Sequence, residues 1–397
     1  MSEKQQDPIV IASAARTPIA SFQGNFAGYA APYLGAIAIR AAVERAGIEP
    51  AQVGEVVMGC VLSAALGQAP ARQAALAAAL PIATGATTVN KMCGSGMRAA
   101  MFAHDMLAAG SADVVVAGGM ESMTNAPYLL PKARGGMRMG HGVVLDHMYV
   151  DGLQDAYAQG RLMGTFAEEC AREYAFTRER QDAFAIESLT RAKRANEEGA
   201  FAWEIAPVKV PGRDGEVTIA RDEQPFRVNV DKIATLKPAF AQDGTVTAAN
   251  SSSISDGAAA LVMMRESTAA RLGVKPLARV VAHSTFAQQP AKFTTAPVGA
   301  LGKLFEKTGW RAADVDLYEI NEAFAVVTLA AMKDHALAHD QVNVNGGACA
   351  LGHPIGASGA RIIVTLLGAL RTHGGRRGVA SLCIGGGEAT ALAIELV

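Results

Sequence analysis

Short apolar runs alternate along the chain with longer, Ala-rich stretches whose apolar positions recur at helical spacing. Segments 8–14 (PIVIASA) and 55–61 (EVVMGCV) have the length and composition of buried strands, and 34–46 and 71–80 read as helices. Such alternation favours a largely parallel sheet covered by helices. From 125 to about 250 the texture changes, with charges, turn residues and Met, His and Tyr becoming common (PYLLPKARGGMRMGHG, PGRDGEVTIARDEQPF). Helices are predicted there over 165–174 and 178–198, the second opened by Thr177 as N-cap. Alternation resumes with a strand at 258–264.

Two stretches repeat one order of features. TTVNKMCGSGMRAAMFAHDMLAAGSADVVVAGGMES and QVNVNGGACALGHPIGASGARIIVTLLGALRTHGGRRGVASLCIGGGEAT each carry a V-N strand end, a Gly-rich turn, an Ala-rich helix, a buried strand and a closing Gly-Gly pair. Duplicated units facing each other would bring both sets of Gly-rich turns to one interface. The expected organisation is a first half over 1–124 and 251–276, an inserted loop-rich domain over 125–250, and a second half over 277–397.

Composition narrows the function class. The chain has 397 residues, 50% hydrophobic and only 18% charged, against about 25% charged in ordinary soluble domains. Surface is therefore scarce, and association of copies is expected. With 36 basic and 37 acidic side chains the formal charge is -1, which provides no field for a nucleic-acid backbone. The most apolar late run, 362–370, lies between Arg361 and Arg371 and is shorter than the roughly 20 residues of a spanning helix, so no membrane partner is expected. The start MSEKQQDPIV does not read as a leader and the end AIELV is no retention signal, which makes cytoplasmic the expected location. Cys60, Cys93, Cys170, Cys349 and Cys383 are odd in number and never spaced as C-x-x-C, so free thiols are expected and no metal site.

Chemistry concentrates at four places. Cys93 lies in Lys-Met-Cys-Gly-Ser-Gly between a short strand and a helix, where free N–H groups would lower a thiol's pKa. A buried small hydrophobe is the competing reading. Gly-Ser-Gly-Met-Arg-Ala also fits a dinucleotide fingerprint, but Asp113 precedes the next strand instead of ending it, and that reading leaves Cys93 unexplained. His353, framed by Gly352 and Pro354, is placed to take a thiol proton, or else merely caps a helix. Cys383 precedes Gly385, Gly386 and Gly387, whose bare N–H groups would suit an oxyanion hole; a buried cysteine before a turn is the alternative. Asn321 and Glu322 stand where a strand turns into a helix, and capping alone would explain Asn321.

Together, Cys93-Gly-Ser-Gly, Asn321-Glu-Ala-Phe, Gly352-His353-Pro354 and Cys383-Ile-Gly385 occur in the order and approximate spacing of the thiolase superfamily, which the chain resembles over essentially its whole length, from Ala15-Arg16-Thr17-Pro18 onward. The resemblance implies an α/β thiolase fold: two duplicated βαβαβαββ halves in a five-layer αβαβα sandwich with an inserted CoA-binding loop domain, assembled as a homodimer or homotetramer. It also implies reversible acyl transfer between acyl-CoA thioesters, with coenzyme A as substrate and product and no prosthetic group. Cys93 would form the acyl-enzyme, His353 take its proton, and Cys383 act as acid and base. The N–H groups of Cys93 and Gly385 would hold one oxyanion; His353 and a water fixed by Asn321 would hold the other. Ser252, in Asn250-Ser-Ser-Ser, and Arg227 would meet CoA.

Phe293-Thr-Thr-Ala-Pro297, Leu162-Met163-Gly164 and Gly387-Glu-Ala-Thr390 depart from the family's usual motifs, which leaves the acyl chain length open. Two rivals remain: a decarboxylating condensing enzyme of this fold, against which Cys383 argues, and a non-catalytic CoA- or lipid-binding protein, which would need none of the four motifs.

Overall fold

The computed structural model describes residues 7–397; part of the expectation about the chain's start falls on residues 1–6, outside that range. The first half runs β1 (Ile9–Arg16), β2 (Ala20–Ser21), α1 (Ala31–Ala46), β3 (Glu55–Gly59), α2 (Pro70–Ala77), β4 (Gly85–Val89), α3 (Ser95–Ala108) and β5 (Val114–Ser122). A long excursion follows, with the strand pair β6 (Tyr128–Leu129) and β7 (Leu145–Asp146), helices α4 (Met163–Tyr174) and α5 (Arg178–Glu197), and the hairpin β8 (Val208–Gly212) and β9 (Gly215–Ile219). The chain returns as β10 (Ser255–Arg265) and α6 (Glu266–Leu272). The second half is β11 (Ala278–Ala287), α7 (Ala296–Thr308), β12 (Leu317–Ile320), α8 (Ala325–His335), α9 (Ala348–Leu351), α10 (Ile355–His373), β13 (Arg377–Ile384) and β14 (Glu388–Leu396).

The sheet is not largely parallel as the alternation suggested: only β3–β4, β3–β5 and β12–β13 pair in parallel, and the other neighbours are antiparallel. The duplication is visible in the strand order. From the middle outward the first half reads β1-β10-β5-β3-β4 and the second β11-β14-β13-β12, and the two join where Val10 and Ile11 pair with Arg279 and Ala278. Strand alternation places the layers. In β10, Ala258, Ala260, Val262 and Met264 pack in a cluster with α1 and α2, whereas Ala259, Leu261 and Met263 pack in another with α3 and α10. In β14, Leu392 and Ile394 turn toward that same middle layer and Ala389, Ala391 and Ala393 toward α7. A two-residue period buried on both faces requires helices on both sides, giving five layers with α3 and α10 in the centre. By length and composition α10 would reach across a bilayer, but 89% of its most apolar window is buried within the protein.

Glycine sets how closely the central helices approach. A Cβ on Gly359 of α10 would sit 2.3 Å from the backbone N of Met97, and one on Gly96 of α3 would sit 2.8 Å from the N of Ala360. Backbones touch here directly, at the N-terminal turns of both helices.

One expected strand is missing from the second copy. Its V-N segment forms only a single parallel bridge, Tyr318 to Val342. Asn343 is in the left-handed region (φ 49°), and its side chain takes over the ladder, accepting from the Ile320 N–H and donating to the Ile320 carbonyl, both at 2.8 Å. The helix at 178–197 matches its expectation, with Arg180 N–H donating to the Thr177 hydroxyl at 3.2 Å.

Gly359→Ala should destabilise the fold by about 1–3 kcal/mol through overpacking. Gly302→Ala on α7, where a Cβ meets nothing within 4 Å, should be neutral or stabilising by up to about 1 kcal/mol. Urea unfolding of both variants checks the pair; equal losses would refute the close-approach argument.

Candidate active site

The Cys93 turn is a strained strand-to-helix connection. Met92, immediately before the cysteine, adopts φ 47° although it carries a side chain, which costs roughly 1–2 kcal/mol. Local hydrogen bonds hold it: Met92 N–H donates to Asn90 Oδ1 (2.9 Å), Lys91 N–H to the Ser95 hydroxyl (2.8 Å), and that hydroxyl to the Met92 carbonyl (2.6 Å). Gly94 lets the turn settle on Ile384, since a Cβ there would lie 2.3 Å from Ile384 Cδ1. The Cys93 turn is thereby seated on the segment carrying Cys383 and Gly385.

The expected lowering of the Cys93 pKa does not hold. Burial pushes the thiol up to about 11, and the nearby N–H groups of Gly385 and of Cys93 itself, which favour the thiolate, offset this only in part. The buried Glu121 carboxylate adds to the upward push. Desolvation of a charge outweighs two partial dipoles, so the resting nucleophile is a thiol.

His353 is its counterpart. It neither caps α10, whose N-cap is Pro354, nor carries charge: burial, then the Arg361 guanidinium, hold its imidazole down to about 3. Its tautomer follows from its neighbours. The Ser358 hydroxyl donates to the Pro354 carbonyl at 3.0 Å, leaving its oxygen to accept from His353 Nδ1–H at 2.5 Å. The proton is thus on Nδ1, and Nε2 keeps a lone pair, buried and without a protein partner among the described residues. Such a nitrogen can receive a thiol proton.

Asn321 lies beside the same ring, its Nδ2 3.5 Å from Nδ1, a contact between two donors and not a hydrogen bond in this tautomer. It is not a cap, because α8 begins at Ala325 with Phe324 as N-cap. Its amide is oriented by Arg361, which reaches Asn321 Oδ1 at 3.4 Å while pairing with Glu319 Oε2 at 3.2 Å, all three groups being buried. Burial, despite Arg361, raises the Glu319 carboxyl to about 8.

Cys383 is the penultimate residue of β13 and does not follow the strand as expected. It is buried in an apolar cluster with Phe166, Phe293 and Phe324. Its thiol is pushed well above the ordinary value, first by burial and then by Cys93, whose negative charge as a thiolate would lie close. At neutral pH it holds its proton and can donate it.

Two clamps assemble these turns, one at Glu121 and one in the 250–253 segment. The buried Glu121 carboxyl, raised to about 7 by burial, accepts from Val61 N–H (3.0 Å), Leu62 N–H (3.1 Å) and Gly356 N–H (2.8 Å), tying β5 to the first turn of α10. The 250–253 segment binds the other motifs through its backbone: Asn250 carbonyl to Ala325 N–H (2.8 Å), Ser252 N–H to Ala323 carbonyl (3.0 Å), and Ser253 carbonyl to His353 N–H (3.1 Å). Ser252 is thus held beside the Asn321 motif. Arg227 is not brought into this group: its exposed guanidinium pairs with Glu223 at 2.7 Å. Ser358 and Arg361 orient His353 and Asn321; their spacing of three from each other within α10 is the signal that puts both on one helix face.

The Cys93 alkylation rate by iodoacetamide should still rise about tenfold per pH unit from about pH 7 to about pH 9, past the usual thiol value. A plateau below pH 8 would mean a thiolate already stabilised at rest. Ser358→Ala, which removes the Nδ1 acceptor, should lower kcat by about 10–100-fold with little effect on the thermal midpoint; an unchanged kcat would remove Ser358 from the site.

Comparison with known proteins gives concordant matches. The family model "Thiolase, N-terminal domain" matches residues 9–267 and "Thiolase, C-terminal domain" residues 274–396. Acetyl-CoA acetyltransferase 2 of Arabidopsis thaliana is 50% identical, aligned over 98% of this chain and 97% of its own. The acetyl-CoA acetyltransferase of Cupriavidus necator is 48% identical over 98% of this chain and 99% of its own. The crystal structure of Acat5 thiolase from Ascaris suum in complex with coenzyme A superposes with a TM-score of 0.93 at 42% identity, covering 98% of this chain and 100% of that one.

Proposed function

Because the chain belongs to the thiolase family, we propose that it is an acetyl-CoA C-acetyltransferase that makes and breaks 3-oxoacyl-CoA through an acyl thioester on Cys93. The observation that carries the mechanism is the neutral His353, whose buried Nε2 has no protein partner among the described residues and so is open to receive a proton.

In the cleavage direction the Cys93 proton passes to His353 Nε2 as sulfur attacks the 3-oxo carbonyl. The oxyanion is held by the N–H groups of Cys93 and Gly385. The C2–C3 bond then breaks, and the acetyl-CoA enolate takes the Cys383 proton. Free CoA gives its thiol proton to Cys383 and attacks the acyl thioester, and the departing Cys93 sulfur takes its proton back from His353. Condensation runs the same steps in reverse, with Cys383 removing the α-proton of acetyl-CoA. A buried, protonated Cys383 suits the acid step. A water set by Asn321 holds the enolate oxygen together with His353. Losing one such donor costs about 3–4 kcal/mol of barrier.

The surroundings of Cys383 favour short acyl groups. Phe293, 3% exposed, packs edge-on to Phe166 with centroids 6.2 Å apart in the cluster around that thiol. Met163 Sδ lies 3.6 Å from where a Gly385 Cβ would stand. Both side chains take space beside the reacting thioester.

Wild-type protein mixed with acetyl-CoA should show one acetyl adduct per chain by intact mass, absent in Cys93→Ala. In Cys383→Ser the adduct should persist while condensation and thiolysis collapse; loss of the adduct in that variant alone would exchange the two roles. With a 3-oxoacyl-CoA series, kcat/KM should be highest for acetoacetyl-CoA and fall with length, and Met163→Ala should flatten the decline by about 10-fold for medium chains. A wild-type optimum at medium length would overturn the short-chain reading.

A further inference from the structure

The third turn of α3 and the strand β11 bring His104, Asp105 and His283 together, outside the catalytic turns. Asp105 Oδ1 lies 3.1 Å from His104 Nδ1 and 2.9 Å from His283 Nε2, and the donor atoms of the three residues all fall within 4.8 Å of one another. The imidazole rings meet edge to face with centroids 4.9 Å apart. Zinc bonds of about 2.0–2.1 Å in a tetrahedral arrangement separate donor atoms by about 3.3 Å. Two edges of that tetrahedron are already at this spacing, and the third closes by a side-chain adjustment.

We infer that His104, Asp105 and His283 form a binding site for a borderline transition-metal dication, Zn2+ with Co2+ or Ni2+ as substitutes, which fastens the first half of the fold to the second. Two imidazoles and one carboxylate select such ions over Mg2+ and Ca2+, which prefer all-oxygen shells. Access is open: the Asp105 side chain is 56% exposed, while the His104 and His283 side chains, at 23% and 15%, are held by packing. The remaining coordination positions face solvent and would take water. Lys307 Nζ donates to the His283 carbonyl at 2.8 Å, a nearby positive charge that weakens binding. No described residue accepts a hydrogen bond from His104 Nε2 or His283 Nδ1. An affinity short of a closed four-ligand structural site follows.

The partners are 104, 105 and 283 in the sequence, so no spacing motif advertises them. The consequence would be structural: α3 carries Cys93 at its start, and an ion joining its third turn to β11 would restrain that helix without touching the thiol.

Metal-free protein titrated calorimetrically with ZnCl2 should bind one equivalent per chain and melt at a higher temperature. Co2+ should give d–d bands without thiolate charge transfer. Both His283→Ala and Asp105→Asn should weaken binding at least about tenfold and lose the thermal shift, while their metal-free thiolase activity stays at the wild-type level, which reports that they fold. Cys93→Ser should bind as wild type. Binding that survives in His283→Ala and Asp105→Asn but disappears in Cys93→Ser would overturn the proposal in favour of the catalytic thiol, and no binding by wild type would overturn it outright.

Discussion

The site depends on the backbone contact between the first turns of α3 and α10. Gly96 and Gly359 face each other where a side chain on either would strike the other helix, and Gly356 presses its carbonyl toward Gly59 and Gly119 of the neighbouring strands. Each helix begins at a reactive residue, Cys93 on one side and His353 on the other. Packing is stiff at interior density, so the spacing of the two turns that carry Cys93 and His353 is set by how near these helices come. Catalytic geometry is here a property of the central layer, and loop conformation contributes only the last turn.

Around that contact the protein buries an unusual number of ionisable groups. Glu121, Glu319, Glu322 and Arg361 are all essentially inaccessible. Glu121 and Glu322 are held by specific partners, Glu322 by Ser188 (2.7 Å), Asn343 (2.8 Å) and the Cys349 N–H (3.0 Å), whereas Glu319 Oε1 and Arg361 Nε have none among the described residues. A buried carboxyl without donors would cost several kcal/mol, so these groups lock the connections that must meet them. The same low-dielectric surroundings keep Cys93, Cys383 and His353 neutral at rest. Charge then develops at the thioester only as the reaction proceeds, where fixed N–H groups are worth most.

Much of the architecture was legible in the chain because β-strands buried on both faces leave short, unbroken apolar runs, and the helices between them keep a helical apolar spacing. The motifs at Cys93, His353 and Cys383 were legible for a related reason: bare backbone at a strand end needs glycine, and glycine clusters stand out. Less visible were the second copy's lost strand and the downward expectation for the Cys93 pKa. The former turned on one Asn343 side chain mimicking a peptide, the latter on the burial of a half-buried thiol outweighing the N–H groups beside it. Arg227, named from the family resemblance, pairs with Glu223, a contact that sequence proximity permits but does not impose.

The sequence by itself determined the repeated α/β order, the glycine-rich turns, and which cysteines and histidine could be reactive, because these follow from local periodicity and from residue chemistry. Tertiary structure alone decided which of those groups are charged, which tautomer His353 adopts, and that Ser358, Arg361 and Glu121 hold the reactive set in place. It alone also set His104 and Asp105 against His283. Burial, and pairings such as Glu121 with Gly356 or Asp105 with His283, arise between segments far apart in the chain, and no local pattern encodes them.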